Sequence, residues 1–231
     1  MRKVENICYC DIGHPRHYLD LYLPDSDTFD VFVYFHGGGL ENGSKDNALA
    51  DSGQYLLERN IAVVAVNYRM YPSAVFPEFI RDAAAAVAWT FKNINNYGTA
   101  KGIYVGGSSA GGYLSMMLCF DKSYLAPHKI HPTQIAGFIH DAGQPTSHFN
   151  VLREQGIDSR RVIVDKTAPL YFIGQEPEYA PMLFIVSDND MENRYEQVLT
   201  AIRTTGKLEN DTADKLKSAL TALVAEFTGK A

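Results

Sequence analysis

The chain of 231 residues has few cysteines and lacks any long apolar stretch. No run approaches the roughly 20 apolar residues that a membrane-spanning helix needs, so no membrane partner is expected. Residues 1–6 carry charges with no long apolar core behind them, which predicts that a secretory leader is absent and that the protein is cytoplasmic. The three cysteines, Cys8, Cys10 and Cys119, are expected to be buried free thiols.

Positive charge is also in short supply. Lysine and arginine number 21 against 27 aspartates and glutamates, which gives a net charge of −6. This balance argues against nucleic acid as a partner. No Cys/His cluster has the spacing of metal ligands, so neither a metal nor an organic cofactor is expected. The length and a hydrophobic content of 46% predict one domain over residues 1–231 with a substantial core.

The most informative stretch is residues 105–112, Val-Gly-Gly-Ser-Ser-Ala-Gly-Gly. β-Branched and aromatic residues precede it and apolar residues follow it, which predicts a strand, a sharp turn and a helix. Within the turn, Gly107-x-Ser109-x-Gly111 has the spacing of a nucleophile elbow. The flanking residues of such a turn must be small, because strand and helix approach closely there. Ser109 is therefore a candidate nucleophile, with an ordinary tight turn as the alternative interpretation.

A second glycine-rich stretch, His36-Gly37-Gly38-Gly39, follows a continuous apolar run at residues 31–35. Such a run is typical of a strand that is covered on both faces. Glycines after it allow backbone N–H groups to turn towards a ligand, and acyl transfer needs such donors for its oxyanion. We interpret this stretch as an oxyanion loop, with a flexible glycine turn as the alternative. His36 is expected to brace the loop rather than to act as a base.

Strand and helix patterns alternate along the chain. The first two strands have the alternation of an antiparallel hairpin, and the later order of strand and helix predicts a mostly parallel sheet. The fold class is therefore α/β, a three-layer α/β/α sandwich with helices on both faces. The predicted strands are residues 4–10, 17–23, 31–35, 61–66, 103–105, 135–139 and 182–186, and the predicted helices are residues 46–59, 77–98 and 110–118.

The order of these motifs resembles the α/β-hydrolase serine esterases, in the hormone-sensitive-lipase-like and feruloyl-esterase-like branch. The resemblance covers roughly residues 16–200. It implies Ser109 as nucleophile and the N–H groups of Gly37, Gly38 and Ala110 as the oxyanion hole. The motifs are Leu19-Asp20-Leu21-Tyr22-Leu23-Pro24, His36-Gly37-Gly38-Gly39, Asn67-Tyr68-Arg69, Phe76-Pro77 with Asp82-Ala83-Ala84-Ala85, and Gly107-x-Ser109-x-Gly111-Gly112.

The resemblance also places the acid of a catalytic triad after the strand predicted at residues 182–186. Asp190 matches that position better than Asp188, which is the alternative acid. Asp141, one strand earlier, lies at a less favoured position that the resemblance also allows. The acid that is not used would be a turn or helix-cap residue.

Triad chemistry further requires a histidine, which in this family follows the acid. None of the seven histidines lies beyond His148. The last strand of the family and its histidine loop are therefore expected to be absent, with an atypical helical segment at residues 207–231 in their place. His140 and His148 are the candidates to replace the lost base. The alternative for each is a hydrogen-bonded structural histidine.

Two functions remain open on the sequence. The first is a carboxylic ester hydrolase that forms an acyl-enzyme on Ser109 and acts on small or short-chain esters, such as acylated sugars or feruloyl-type esters. The second is an impaired relative that binds acyl or carboxylate ligands without turnover. The amphipathic stretch at residues 212–227 would pack on the sheet, or cover its edge through a second copy in a homodimer.

Overall fold

The computed structural model describes residues 1–48 and 53–186. Within these ranges the strands are β1 (Arg2–Cys8), β2 (Tyr18–Leu23), β3 (Thr28–Phe35), β4 (Ile61–Val66), β5 (Thr99–Ser108), β6 (Gly137–Asp141) and β7 (Met182–Ile185). The α-helices are α1 (Gln54–Glu58), α2 (Glu78–Asn93), α3 (Ala110–Phe120) and α4 (Phe149–Glu154). All these strands join one sheet in the order β1-β2-β4-β3-β5-β6-β7.

The sheet is mostly parallel. β2 pairs antiparallel with both β1 and β4, whereas β4, β3, β5, β6 and β7 run parallel to one another. Alternate residues of β4 enter different cores: Val64 packs in the larger core with α2 and α3, and Val63 packs with Leu57 of α1. Helices therefore cover both faces, and the predicted three-layer α/β sandwich is confirmed.

The predicted elements are largely found, with differences at their ends. The helix predicted over residues 46–59 is seen as a 3-10 turn at Lys45–Asn47 and as α1, with residues 49–52 outside the described ranges. The atypical segment at residues 207–231 and its amphipathic stretch also lie outside the described residues. No helix in the part of the chain that the structure describes is long and apolar enough to cross a membrane.

The cysteine prediction is right for one thiol and wrong for another. Cys119 lies buried on α3, where desolvation raises the pKa of its thiol. Cys8, in contrast, is exposed, and Cys10 is only partly buried. The reason is that β1 is the edge strand of the sheet and has no buried face, so its side chains stay in contact with solvent.

A buried ion pair joins the end of β4 to α2. The Nε and Nη2 atoms of Arg69 donate to the two carboxylate oxygens of Asp82, each at 2.9 Å. The backbone N–H of Arg69 donates to the same carboxylate. Asp82 is 2% exposed, and Nε2 of His17 lies 3.0 Å from the same carboxylate. Loss of Arg69 would leave this buried charge without its guanidinium partner. The Asn67-Tyr68-Arg69 and Asp82 motifs thus belong to one structural contact.

The junction between β5 and α3 is the tightest backbone crossing near the glycine loop. A Cβ on Gly107 or on Gly111 would collide with the carbonyl oxygen of Phe35 at the end of β3. A Cβ on Gly112 would lie 2.7 Å from the carbonyl oxygen of Asp141 on β6. The prediction that this turn needs residues without side chains therefore has a specific cause, which is contact with two neighbouring strands.

We expect Gly111→Ala to lower the free energy of unfolding by about 4 kcal/mol or more, because backbone must move to admit the methyl group. Gly13→Ala is the matched control. Gly13 has a φ of +72° but no atom within 4 Å of its added Cβ. The control should therefore lose only about 1–2 kcal/mol, from the left-handed backbone alone. Urea unfolding of both variants measures the difference, and equal losses would contradict the proposed collision.

Candidate active site

Ser109 occupies the tip of the turn between β5 and α3 in a strained backbone conformation. Its φ is +54° and its ψ is −112°, a region that residues with a Cβ rarely adopt. Two hydrogen bonds hold it there. The N–H of Ser109 donates to the carbonyl of Asp141 at 2.8 Å, and the N–H of Tyr113 donates to the carbonyl of Ser109 at 3.0 Å. The residue as a whole is exposed.

The structure brings the glycine loop to this serine. A Cβ built on Gly37 would lie 3.4 Å from the Cβ of Ser109. The N–H groups of Gly38 and Ala110 donate to no acceptor among the described residues. Ala110 is the first residue of α3, where N–H groups have no partner within the helix. These N–H groups, which no described acceptor occupies, lie beside the exposed Ser109 and can stabilise negative charge on a ligand oxygen.

His36 braces the loop, as its position after β3 predicts. Its Nδ1 atom lies 2.6 Å from the carbonyl oxygen of Gly37. Its ring stacks on the ring of Tyr68 at 4.5 Å, and the Tyr68 hydroxyl donates to the carbonyl of His36 at 2.7 Å. Burial, together with the nearby positive charge of Arg16, lowers the pKa of His36 to about 4. The ring is therefore neutral at pH 7.

His140 lies inside the core rather than at an open surface. It is 0% exposed, and its Nδ1 atom is 2.8 Å from the hydroxyl of Ser115, which lies six residues beyond Ser109. Burial lowers its pKa to about 3. No hydrogen bond joins His140 to Ser109 in the described part of the chain. Its ring is enclosed by Phe120, Phe138 and Phe184.

His148 caps the first turn of α4. Its Nδ1 atom accepts a hydrogen bond from the N–H of Asn150 at 3.2 Å, and burial lowers its pKa to about 3. The ring lies 5.2 Å from the ring of Tyr113, the residue whose N–H binds the carbonyl of Ser109. His148 is thus one side chain removed from the turn that holds Ser109. Its role as a base stays a prediction, as does that of His140.

Two residues that the sequence did not single out contact the glycine loop. The side-chain amide of Asn150 donates to the carbonyl of Gly39. The Cζ atom of Phe149 would lie 3.1 Å from a Cβ on Gly39, and Phe149 is 39% exposed. Both residues begin α4, a helix that is not among those predicted from the sequence. The signal for this contact in the sequence is slight: Asn150 is a polar residue just after His148, which caps α4.

The two candidate acids after β7, Asp188 and Asp190, lie outside the described residues. Asp141 is partly buried, and its backbone carbonyl rather than its carboxylate contacts Ser109. Among the residues that the structure describes, no three His, Cys, Asp or Glu side chains converge so that they could hold a metal ion.

The buried histidines predict a loss of stability in acid. The pKa values of His36, His140 and His148 are lowered to about 4, 3 and 3, against about 6.5 in an unfolded chain. The unfolded chain therefore binds more protons between about pH 6.5 and pH 3, and the free energy of unfolding falls as pH decreases through this window. For one histidine charged only in the unfolded chain, that fall is about 1.4 kcal/mol for each decrease of one in pH.

We expect His140→Gln to lose less stability than the wild type between pH 7 and pH 4.5, because the variant has one buried titrating group fewer. Urea unfolding at the two pH values gives this difference. His131→Gln removes an exposed histidine and is the control for the substitution itself. If His140→Gln lost as much free energy of unfolding as the wild type between pH 7 and pH 4.5, burial of His140 would not contribute to acid sensitivity.

Comparisons with known proteins agree with this architecture. The BD-FAE family model matches residues 19–130. The probable isoprenylcysteine alpha-carbonyl methylesterase ICMEL2 of Arabidopsis thaliana is 36% identical over 115 residues, which are 48% of this chain and 27% of that protein. Esterase LipI of Mycobacterium tuberculosis is 35% identical over 104 residues, which are 45% of this chain and 32% of LipI. The match thus spans about a third or less of these curated relatives.

Solved structures extend the likeness of fold over most of the chain. Esterase B from Lactobacillus rhamnosis superposes with a TM-score of 0.72 at 16% identity, covering 88% of this chain and 71% of that one. A truncated carbohydrate esterase from gut microbiota gives 0.70 at 17% identity, covering 89% and 85%. The family model, the esterase relatives and the fold together make this chain similar to the α/β-hydrolase esterases of the hormone-sensitive-lipase-like branch.

Proposed function

We propose that this chain is a carboxylic ester hydrolase with Ser109 as its nucleophile. The observation that carries the proposal is the exposed Ser109, held in its strained turn beside Gly37. The nearby N–H groups of Gly38 and Ala110 have no acceptor among the described residues. This combination is what acyl transfer requires, because attack on an ester carbonyl places negative charge on its oxygen. The esterase relatives support the same class of reaction.

In the proposed reaction the Oγ atom of Ser109 attacks the ester carbonyl, and its proton passes to a general base. The N–H groups of Gly37, Gly38 and Ala110 hold the oxyanion of the tetrahedral intermediate. The alcohol then leaves with that proton, and an acyl group remains on Ser109. Water attacks this acyl-enzyme by the same path, which releases the carboxylic acid and restores the serine.

We propose small or short-chain esters as substrates, including acylated sugars and feruloyl-type esters. Phe149 supports a compact acyl site, because its partly exposed ring lies against Gly39 of the oxyanion loop. The names of the similar proteins include both a carbohydrate esterase and an isoprenylcysteine methylesterase, which supports an ester substrate without selecting its alcohol. A cytoplasmic location and a homodimer stay predictions.

For the remaining triad roles we propose Asp190 as acid, with Asp188 as its alternative, and a histidine as base. His148 is the better supported of the two candidates, since its ring contacts Tyr113 and its neighbours Phe149 and Asn150 contact Gly39. His140 is enclosed by three phenylalanine rings and bonded to Ser115, which leaves it less accessible to the serine proton.

Binding of acyl or carboxylate ligands without turnover is the second candidate function. The observation that favours it is the burial of both histidines, which lowers the pKa of each to about 3. A general base works best when its pKa lies near the operating pH, so either ring would accept the serine proton poorly in this state. The free N–H groups would still bind a ligand oxygen.

We expect Ser109→Ala to lower kcat on p-nitrophenyl acetate by a factor on the order of 10⁴ or more, because the nucleophile is removed. The same variant should lose covalent labelling by a fluorophosphonate. Ser108→Ala deletes the adjacent hydroxyl and is the matched control, with turnover and labelling retained. A wild type without turnover or labelling would reject the hydrolase. Binding of acetate or another short carboxylate by that protein would then support the second function.

If the base is His148, His148→Ala should lower kcat by a factor on the order of 10⁴ to 10⁶, because proton transfer from Ser109 is lost. His140→Ala should instead reduce stability more than turnover, since its ring fills a buried space. Kinetics of both variants at pH 7, corrected for the folded fraction, separate the roles. Near-wild-type kcat in His148→Ala would assign the base elsewhere.

A further inference from the structure

Arg16 is a partly buried cation that forms no ion pair with any residue in the described ranges. Its guanidinium instead contacts the glycine loop and the segments beside it. Nε donates to the carbonyl of Tyr68 at 3.2 Å, and Nη2 donates to the carbonyl of Gly43 at 3.0 Å. The same Nη2 atom lies 2.9 Å from Nε2 of His36. Among the described residues Arg16 therefore pairs with no carboxylate, and its guanidinium contacts Tyr68, Gly43 and His36. The Sδ atom of Met70 also lies 3.8 Å from Nη2.

The contacts of His36 with Arg16 and with Gly37 agree on which nitrogen of its ring carries the proton. A guanidinium can only donate hydrogen bonds, so Nε2 of His36 must accept. The ring of His36 is neutral, and its single N–H then lies on Nδ1. That N–H donates to the carbonyl of Gly37 at 2.6 Å. Arg16 and the carbonyl of Gly37 thus bind the two nitrogens of one imidazole. We call this pair of hydrogen bonds the relay.

The relay orients the peptide that carries the proposed oxyanion donor. The Gly37–Gly38 peptide is trans, so its C=O and N–H point in opposite directions. With the carbonyl of Gly37 bound to His36, the N–H of Gly38 points away from the ring. It has no acceptor among the described residues and is left available to a ligand.

Gly43 closes the other side of this relay. A Cβ on Gly43 would collide with the carbonyl oxygen of Gly37 and with Nδ1 of His36, and its φ is +102°. The backbone of Gly43 therefore packs directly on the hydrogen bond between those two atoms, while its own carbonyl accepts from Arg16. Stacking by Tyr68 covers the face of the imidazole. Tilting the ring would disturb contacts on several sides at once.

We propose that Arg16 is a positioning residue that holds His36 in its Nδ1–H tautomer and so aims the Gly38 N–H as an oxyanion donor. The effect on turnover rests on the proposed ester hydrolysis, whereas the effect on the tautomer does not. In this proposal Arg16 acts through His36 and not by contact with the substrate.

The first test reads the tautomer without any need for activity. Long-range proton–nitrogen correlation spectra of histidine-labelled protein distinguish Nδ1–H from Nε2–H, and loss of one signal set in His36→Gln assigns the residue. We expect Nδ1–H alone in the wild type and in Arg160→Met, a control that removes an exposed arginine bonded to Asp158. Arg16→Met should show a mixture of tautomers, and Arg16→Lys, with one donor to Nε2, a smaller admixture.

The second test measures turnover. An oxyanion donor acts in the transition state, so Arg16→Met should lower kcat on p-nitrophenyl acetate about 10- to 100-fold at nearly constant KM. Arg16→Lys should recover part of this loss, and Arg160→Met should match the wild type. Rates are referred to the fraction of enzyme labelled by a fluorophosphonate, so that partial unfolding does not count as lost kcat.

The outcomes are separable. An Nε2–H signal in the wild type, or an unchanged tautomer in whichever of Arg16→Met and Arg16→Lys folds, would overturn the positioning role. A changed tautomer with unchanged kcat would overturn its link to the oxyanion donor. A wild type without esterase activity would reject the proposed function, and the spectra would still decide whether Arg16 controls His36.

Discussion

Contact between two backbones organises the candidate site: the carbonyl of Phe35 lies where a side chain on Gly107 or Gly111 would be. Because strand β3 and the turn into α3 touch there, the residues that follow Phe35 emerge directly beside Ser109. The strained conformation of Ser109, which costs on the order of 1–3 kcal/mol, is held by hydrogen bonds at its N–H and its carbonyl. The proposed nucleophile and the proposed oxyanion loop are thus placed by a single packing constraint, with side chains excluded from it.

The histidines of the described chain serve this architecture more clearly than they serve proton transfer. His36 and His148 use Nδ1 to fix backbone at the glycine loop and at the start of α4, and His140 fills a buried aromatic cluster. Burial keeps all three rings neutral at pH 7. A catalytic base must instead accept a proton during the reaction, so its pKa should lie near the operating pH. The proposed oxyanion hole and the proposed base are therefore physically separable parts of the site.

The region matched by the family model includes the proposed oxyanion hole and excludes the proposed base. Residues 19–130 contain the glycine loop, the Arg69–Asp82 contact and the turn at Ser109. Both candidate histidines and both candidate acids come after residue 130. The two solved esterase structures described above resemble a larger part of the chain, but at 16% and 17% identity they show its fold alone. The proposed acyl-binding half of the chemistry thus lies inside the matched region, and the proton-transfer half lies beyond it.

The amino-acid sequence by itself determined the elements whose signals are local. Continuous apolar runs predicted β3 and β4, helical spacing after Pro77 predicted α2, and small residues around Ser109 predicted the turn. Tertiary structure alone decided the partners of the polar groups. It joined His140 to Ser115, Asn150 to Gly39 and Arg16 to His36, although these residues are 25, 111 and 20 positions apart. The physical reason is that periodicity and turn chemistry act between near neighbours along the chain, whereas a hydrogen-bond partner is selected by how distant segments pack.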